Sequence, residues 1–245
     1  MELNFWDKIR SIPASEKASR IMSIFLLVTF VFSIFFAIYN IATTPEATSG
    51  TEHERSDYVL MLLQCCLGVV VIALPNILEK RFSFYIPNFM YIMYFMFLYC
   101  AIYLGEVQSF YSVIPHWDTI LHAFSGAMLG AFGFSLVAVL NSADNVPLKT
   151  SPIFVAIFAF TFALSVGVIW EVYEYLADGI LGTNMQKFET YGGDVLVGHD
   201  ALSDTMKDLI TDALSALGVS IIGFLQYRKK AAYYPLPKPV VKNVK

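Results

Sequence analysis

Three aspartates near the carboxyl-terminal end of the chain have a spacing that places them in one row on a helix. Asp204, Asp208 and Asp212 are each four residues apart, and 3.6 residues per turn stack every fourth side chain on one face. The segment continues into the run 213–225, which is apolar enough to lie in lipid. Because a carboxylate at membrane depth costs roughly 2.5–3.5 kcal/mol on insertion scales, this row indicates a functional site.

Two other apolar segments carry ionisable side chains at helical spacing. Asp118 and His122 are four residues apart and Glu171 and Glu174 are three apart, so each pair lies on one helix face. At 1.5 Å per residue, His122, Glu174 and Asp208 all lie about 6 Å below the ends of their predicted helices. Helices that are separate in sequence therefore place acids and one imidazole at the same depth, which predicts one shared site.

A divalent metal ion is the ligand that these residue types fit best. Several acids in one low-dielectric pocket cannot all be charged unless a cation neutralises them. Oxygen ligands with one imidazole suit Zn, Mn, Fe, Mg or Ca ions, although a metalloenzyme signature such as HExxH is absent. We predict Glu171 and Asp208 to be catalytic, because they lie inside apolar runs. The predicted metal ligands are His122, Glu171, Glu174, Asp204, Asp208, Asp118 and Asp212.

Ordinary structural roles also explain some of these residues. Asp118, Asp178 and Asp204 stand at predicted helix ends, where aspartate is a favoured cap or is simply solvated, and we expect Asp178 to lie nearer to solvent. Lys207, three residues after Asp204, could form an exposed ion pair with it worth about 0–1 kcal/mol. A single histidine such as His122 is more often a hydrogen-bonded packing residue than a ligand. These alternatives stay open at the level of sequence.

Membrane-spanning helices carry these residues. Of the 245 residues, 57% are apolar and 15% are charged, whereas soluble domains average about 25% charged. Apolar runs near 20 residues recur, each long enough to cross a hydrocarbon core of about 30 Å. We predict an all-α, polytopic transmembrane helical bundle that forms a single integral membrane domain over 1–245. The predicted spans are TM1 21–41, TM2 58–78, TM3 84–104, TM4 118–140, TM5 153–178 and TM6 204–227, followed by a flexible basic tail, 228–245.

The distribution of positive charge predicts the orientation of this bundle. Thirteen of the 16 Lys and Arg residues fall in segments that share one side, while Arg55 and Lys187 lie on the other and Lys207 lies within TM6. The positive-inside bias then predicts six spans with both termini cytoplasmic and loops 105–117 and 179–203 outside. The basic residues form no aromatic-flanked patch, so no nucleic-acid partner is expected.

Four short motifs resemble those of the YjdF-type family of bacterial inner-membrane proteins. That family is similar in plan to the VanZ-like proteins associated with glycopeptide resistance, and the likeness covers roughly residues 115–220. It implies an uncharacterised multi-pass protein of the bacterial plasma membrane and supplies no reaction. The motifs are Asp118-x-x-x-His122-x-x-x-Gly126, Glu171-Val-Tyr-Glu174, Leu181-Gly-Thr-Asn184 and Asp204-Thr-x-x-Asp208. The chain departs from the family where Asn184-Met-Gln follows Leu-Gly-Thr in place of Gly-Asp.

Three functional hypotheses follow. The first is a metal-dependent membrane hydrolase or transferase that acts on a lipid or lipid-linked substrate from the outer leaflet. The second is a proton- or cation-coupled transporter or resistance protein that uses the same acids, and the third is a membrane scaffold without catalysis. Below Asp212 the predicted helices carry few polar residues, which favours a one-sided site over a path across the membrane. The sequence leaves open the oligomeric state, the metal identity and the role of loop 179–203.

Overall fold

The computed structural model describes residues 14–44, 55–82, 86, 88–142, 150–190 and 194–233. Within those ranges, six helical spans are long and apolar enough to cross a membrane, which confirms the predicted all-α, six-span architecture. TM1 is Ala14–Thr43, TM2 is Arg55–Val71 followed by Leu74–Phe82, TM3 is Asn88–Leu98 followed by the π-helix Tyr99–Val107, TM4 is Trp117–Ser142, TM5 is Pro152–Leu181 and TM6 is Ser203–Tyr233. A four-residue helix, Phe110–Val113, precedes TM4.

Several helices extend beyond the predicted spans, at the start of TM1 and at the end of TM6. TM6 continues to Tyr233, past the predicted boundary at 227, because basic residues after the apolar run are good helix formers and interact favourably with a helix carboxyl terminus. The first part of the predicted flexible tail is therefore helical, and residues 234–245 of it lie outside the described residues. Part of the predicted start of TM3, at 84–85 and 87, also lies outside them.

The break in TM2 has a local cause and a local compensation. Pro75 has no backbone N–H, so the carbonyl of Val71, four residues earlier, loses its helical donor. The Tyr94 hydroxyl on TM3 donates a hydrogen bond to that carbonyl at 2.8 Å. A buried backbone oxygen is thereby satisfied where no water is available, as a bend within a membrane helix requires.

The two halves of the bundle are packed differently. TM1, TM2 and TM3 share a core of large apolar side chains that includes Leu26, Phe30 and Phe95. TM4, TM5 and TM6 instead pack against one another through glycines. A Cβ atom added at Gly133 of TM4 would lie 2.8 Å from the Cα atom of Ala159 on TM5. Such close backbone approach fixes the register of the three helices that carry the predicted site.

The orientation of the bundle stays a prediction, and cysteine labelling tests it. In a cysteine-free background, we expect Val197→Cys in the TM5–TM6 connection to react with a membrane-impermeant maleimide on intact cells, because Val197 is 79% exposed. Lys80→Cys, at the opposite end of the bundle, should react only after permeabilisation. The reverse pattern would show that the positive-inside assignment is wrong.

Candidate functional site

The predicted residues of TM4, TM5 and TM6 converge at one end of the bundle, where TM4 and TM6 begin and TM5 ends. We call this the cluster end. Among the described residues, two groups have ligand atoms that all lie within 4.8 Å of one another: Asp118, His122 and Asp208, and His122, Glu171 and Glu174. His122, Glu171, Glu174 and Asp208 are all at least 93% buried. The three helices thus bring these carboxylates and the imidazole into one cluster, and a shared functional site stays a prediction.

His122 lies at the centre of the cluster and belongs to both groups. Its Nε2 atom is 3.7 Å from Asp118 Oδ1 and 4.0 Å from Glu171 Oε1. Its Nδ1 atom is 3.3 Å from Asp212 Oδ2, on the far side of the ring. When Nδ1 carries the proton and donates it to Asp212, the lone pair of Nε2 faces the acids of TM4 and TM5. This is the arrangement by which an outer carboxylate orients a metal-binding histidine.

Asp212 is held in place from several directions. The Ser125 hydroxyl donates to Asp212 Oδ1 at 3.4 Å, and Gly167 of TM5 makes room for the other oxygen. A Cβ atom at Gly167 would lie 2.4 Å from Asp212 Oδ2, so a larger residue there would displace the carboxylate. Asp212 lies at the floor of the cluster, as its place on the helical row predicts, and it contacts the ring nitrogen that points away from the other acids.

Several oxygens of the cluster lack a hydrogen-bond partner. Both carboxylate oxygens of Glu171 and Oδ2 of Asp208 are buried and, within the described part of the chain, accept no hydrogen bond of normal length and angle, although the Thr205 hydroxyl of TM6 interacts with Glu171. Glu174 differs, because its Oε1 atom accepts a hydrogen bond from Trp170 Nε1 at 2.8 Å. A buried oxygen without a donor costs about 1–3 kcal/mol, and more if it is charged. Glu171 and Asp208 therefore each have an oxygen available to a ligand, in the two groups that share His122.

Lys187 is the component of the cluster that sequence reasoning missed. Its Nζ atom donates to Asp118 Oδ2 and to Asp204, whose two oxygens lie at 2.9 and 3.1 Å. An exposed ion pair with Lys207 was one alternative for Asp204, and in the structure Asp204 pairs with Lys187. Burial alone would lower the pKa of Lys187, but the charges of Asp118 and Asp204 raise it above its usual value, so the ammonium stays charged. The sequence did offer one signal for it: Lys187 is the one Lys or Arg residue in the segment between TM5 and TM6, which both carry acids of the cluster.

Asp178 has a structural role, contrary to the expectation that it lies near solvent. It is 92% buried, and Oδ1 accepts hydrogen bonds from Thr183 Oγ1 and from the Met185 amide, both at 2.7 Å. The Gln186 amide donates to Oδ2 at 2.9 Å. The side chain is oriented by the turn that follows TM5 rather than by the cluster. Asp178 thus fixes the start of the connection that carries Lys187.

The sequence matches, over residues 18–229, the family described as predicted membrane protein (DUF2238). The chain belongs to this family. A relative from Thermotoga maritima, described as an uncharacterized protein, is 28% identical over 162 residues, which are 65% of this chain and 73% of that protein. No solved structure matches the chain. The DUF2238 family assignment agrees with a multi-pass membrane protein and carries no statement about a reaction.

In this DUF2238 protein a second residue that sequence reasoning did not single out is Glu106 of TM3, which interacts electrostatically with Asp118. Glu106 lies in the π-helix, a rare geometry that often occurs at functional sites. Tyr111 packs against the adjacent Gly105, where an added Cβ would lie 2.4 Å from its ring. Burial, followed by the negative charges of Asp118 and Glu106, raises the pKa of Tyr111 well above its usual value. The phenol therefore stays neutral at the rim of the cluster. In the sequence, the one sign of Glu106 was that an acid lies close to the end of the predicted apolar span TM3.

Proposed function

We propose that the cluster is a divalent-metal site and that the protein is a membrane enzyme acting on a lipid or lipid-linked substrate. The observation that carries this proposal is the set of unpartnered oxygens on Glu171 and Asp208 next to Nε2 of His122. A cation placed among them would satisfy these oxygens and would neutralise acids that cannot all be charged in a buried pocket. One imidazole among carboxylates suits Zn, Mn or Fe well and Mg or Ca less well.

The packing beneath the cluster favours an enzyme over a transporter. A Cβ at Gly126 of TM4 would lie 2.9 Å from the backbone oxygen of Asp212 on TM6, and one at Gly223 of TM6 would lie 2.3 Å from the Phe134 ring. Farther from the cluster, the Thr161 and Ser165 hydroxyls of TM5 are exposed and donate to carbonyls of their own helix. In the described part of the chain, these contacts bring the three helices close together below the cluster, where the Ser220 hydroxyl of TM6 is also buried. An enzyme, unlike a transporter, needs access from one side only.

Apolar side chains at the cluster end support a lipid substrate. Ile180 at the end of TM5 and Leu202 before TM6 are each more than 60% exposed. Apolar side chains at the edge of a membrane span fit the boundary between headgroups and acyl chains. A lipid headgroup at that boundary would lie at the depth of the carboxylates. We infer that the site works on the outer leaflet of a bacterial plasma membrane, in line with the resemblance to YjdF-type and VanZ-like proteins.

The roles of the residues follow from this geometry. A bound metal would supply a Lewis acid and a water of lowered pKa for attack on a phosphoryl or carbonyl group. Asp212 would hold the imidazole of His122 with Nε2 toward the ion. Glu171 and Asp208, the predicted catalytic residues, would share ligation and proton transfer, since each has an oxygen free of donors. Asp118 and Asp204 lie at the mouth of the site, where each side chain is 21% exposed.

Metal analysis combined with melting of the detergent-purified protein tests the proposal. We expect the purified protein to contain stoichiometric divalent metal, to melt at a lower temperature in EDTA and to regain its melting temperature when a divalent ion is added back. The reason is that a ligand bound only by the folded state stabilises that state, by about 2.7 kcal/mol at 100 times its dissociation constant. Sodium chloride at matched ionic strength controls for general salt effects. Metal-free protein that melts identically with and without EDTA would favour the proton-coupled transporter. In that case Asp208→Asn should stabilise the fold, because it removes a buried charge that no cation compensates.

A further inference from the structure

The ammonium group of Lys187 lies where a metal ion could otherwise bind. It contacts Asp118 on TM4 and both oxygens of Asp204 on TM6, so it bridges two spans that each supply a predicted metal ligand. Asp118 also belongs to the ligand group formed with His122 and Asp208. The two carboxylate oxygens of Asp118 have different neighbours: Oδ2 contacts Lys187, and Oδ1 is 3.7 Å from His122 Nε2. The lysine and the candidate metal position therefore share a carboxylate.

The backbone around Lys187 is built to hold it there. The two preceding amides, of Met185 and Gln186, donate to the buried carboxylate of Asp178. The Gln186 side chain donates to Thr205 Oγ1 on TM6 at 2.9 Å. Lys187 itself has a positive φ of 48°, a conformation that costs a non-glycine residue roughly 1–3 kcal/mol and persists only where the surroundings impose it. The side chain is thus tethered at the mouth of the cluster.

We propose that Lys187 is a built-in cation that fills a second cation position, formed by Asp118 and Asp204, and so limits the cluster to one divalent ion. This inference rests on the proposed metal site. The resident ion would use His122 with Glu171, Glu174 or Asp208, the residues that Lys187 does not touch. A tethered group competes at an effective concentration of millimolar or more, well above the free concentration of most divalent ions. Without the ammonium, two carboxylates beside Asp208 would form an oxygen-rich position suited to Mn or Mg.

Metal counting on a set of lysine variants tests the inference. Each detergent-purified protein is equilibrated with Mn, desalted and analysed for Mn per chain. We expect one ion in the wild type and two in Lys187→Met, which keeps the length of the side chain and removes its charge. Lys187→Arg should keep one ion, because it keeps the charge. Lys207→Met is the matched control, an exposed lysine of TM6 three residues from Asp204, and it should also keep one ion.

The outcomes separate this inference from the proposed function. One ion in both the wild type and Lys187→Met would overturn the role of Lys187 and leave the metal site intact. No ion in the wild type with one in Lys187→Met would support Lys187 as the resident cation and overturn the metal-dependent enzyme. No ion in either protein would overturn both. If Lys187→Met does not fold, Lys187→Gln decides: two Mn ions per chain would support the inference, and one would overturn it.

Discussion

His122→Ala is expected to abolish divalent-metal binding, the largest loss of affinity among single variants of the cluster. His122 belongs to both groups of candidate ligands, so its removal leaves neither group complete. The effect should exceed that of Asp212→Asn, which removes the charge behind Nδ1 and keeps the imidazole. Loss of such an orienting partner typically costs 10–100-fold in metal affinity. Isothermal titration of the metal-stripped proteins with Zn and Mn measures both values.

The acids then show which group holds the ion. Asp208→Asn weakens the group that includes Asp118, whereas Glu174→Gln weakens the group that includes Glu171, and each amide keeps nearly the shape of the carboxylate. If one variant loses much more metal affinity than the other, the ion is assigned to the group that contains the substituted acid. Asp200→Asn, at an exposed position before TM6, is the control for a change of charge outside the cluster. Unchanged metal affinity in His122→Ala would remove the histidine from the site.

Helical spacing was sufficient to predict which side chains meet, because a membrane span is long, straight and fixed in depth. The burial of Glu171 and Asp208 follows from their positions within apolar runs, and the row on TM6 follows from the interval of four residues. The same rule placed Asp212 on the row with Asp208. It could not show that Asp212 contacts the Nδ1 side of the ring, since that depends on how closely TM5 and TM6 approach at Gly167.

The features that sequence reasoning missed depend on irregular backbone. Lys187 is positioned by hydrogen bonds of the connection to Asp178 and Thr205, and no periodic pattern encodes such contacts. The burial of Asp178 has the same origin, because a residue at a helix end can be covered by the segment that follows it. Glu106 lies in a π-helix, where the phase of side chains differs from that of an α-helix. The break in TM2, in contrast, has a local cause, because Pro75 has no backbone N–H to donate to the carbonyl of Val71.

Asp178→Ala is expected to have the largest structural effect at the cluster end. The substitution removes the acceptor for two backbone amides and a threonine hydroxyl, and each buried donor left without a partner costs about 1–3 kcal/mol. We expect the turn of residues 183–187 to be destabilised locally by about 2–4 kcal/mol while the six spans stay folded. Hydrogen exchange followed by mass spectrometry should show that peptides covering Met185 and Gln186 lose protection.

Conservative and control variants define this effect. Asp178→Asn keeps one acceptor oxygen and should lose less protection than Asp178→Ala, because the amide can still accept from Met185 or Thr183. Asp200→Ala, in the same connection but exposed, should leave the exchange of both amides unchanged. Because Lys187 directly follows the two amides, its contacts with Asp118 and Asp204 should weaken in Asp178→Ala and the metal capacity should approach that of Lys187→Met. Full protection of Met185 and Gln186 in Asp178→Ala would mean that the connection is held by other contacts, such as those of Gln186 with Thr205 and of Gln64 with Met185.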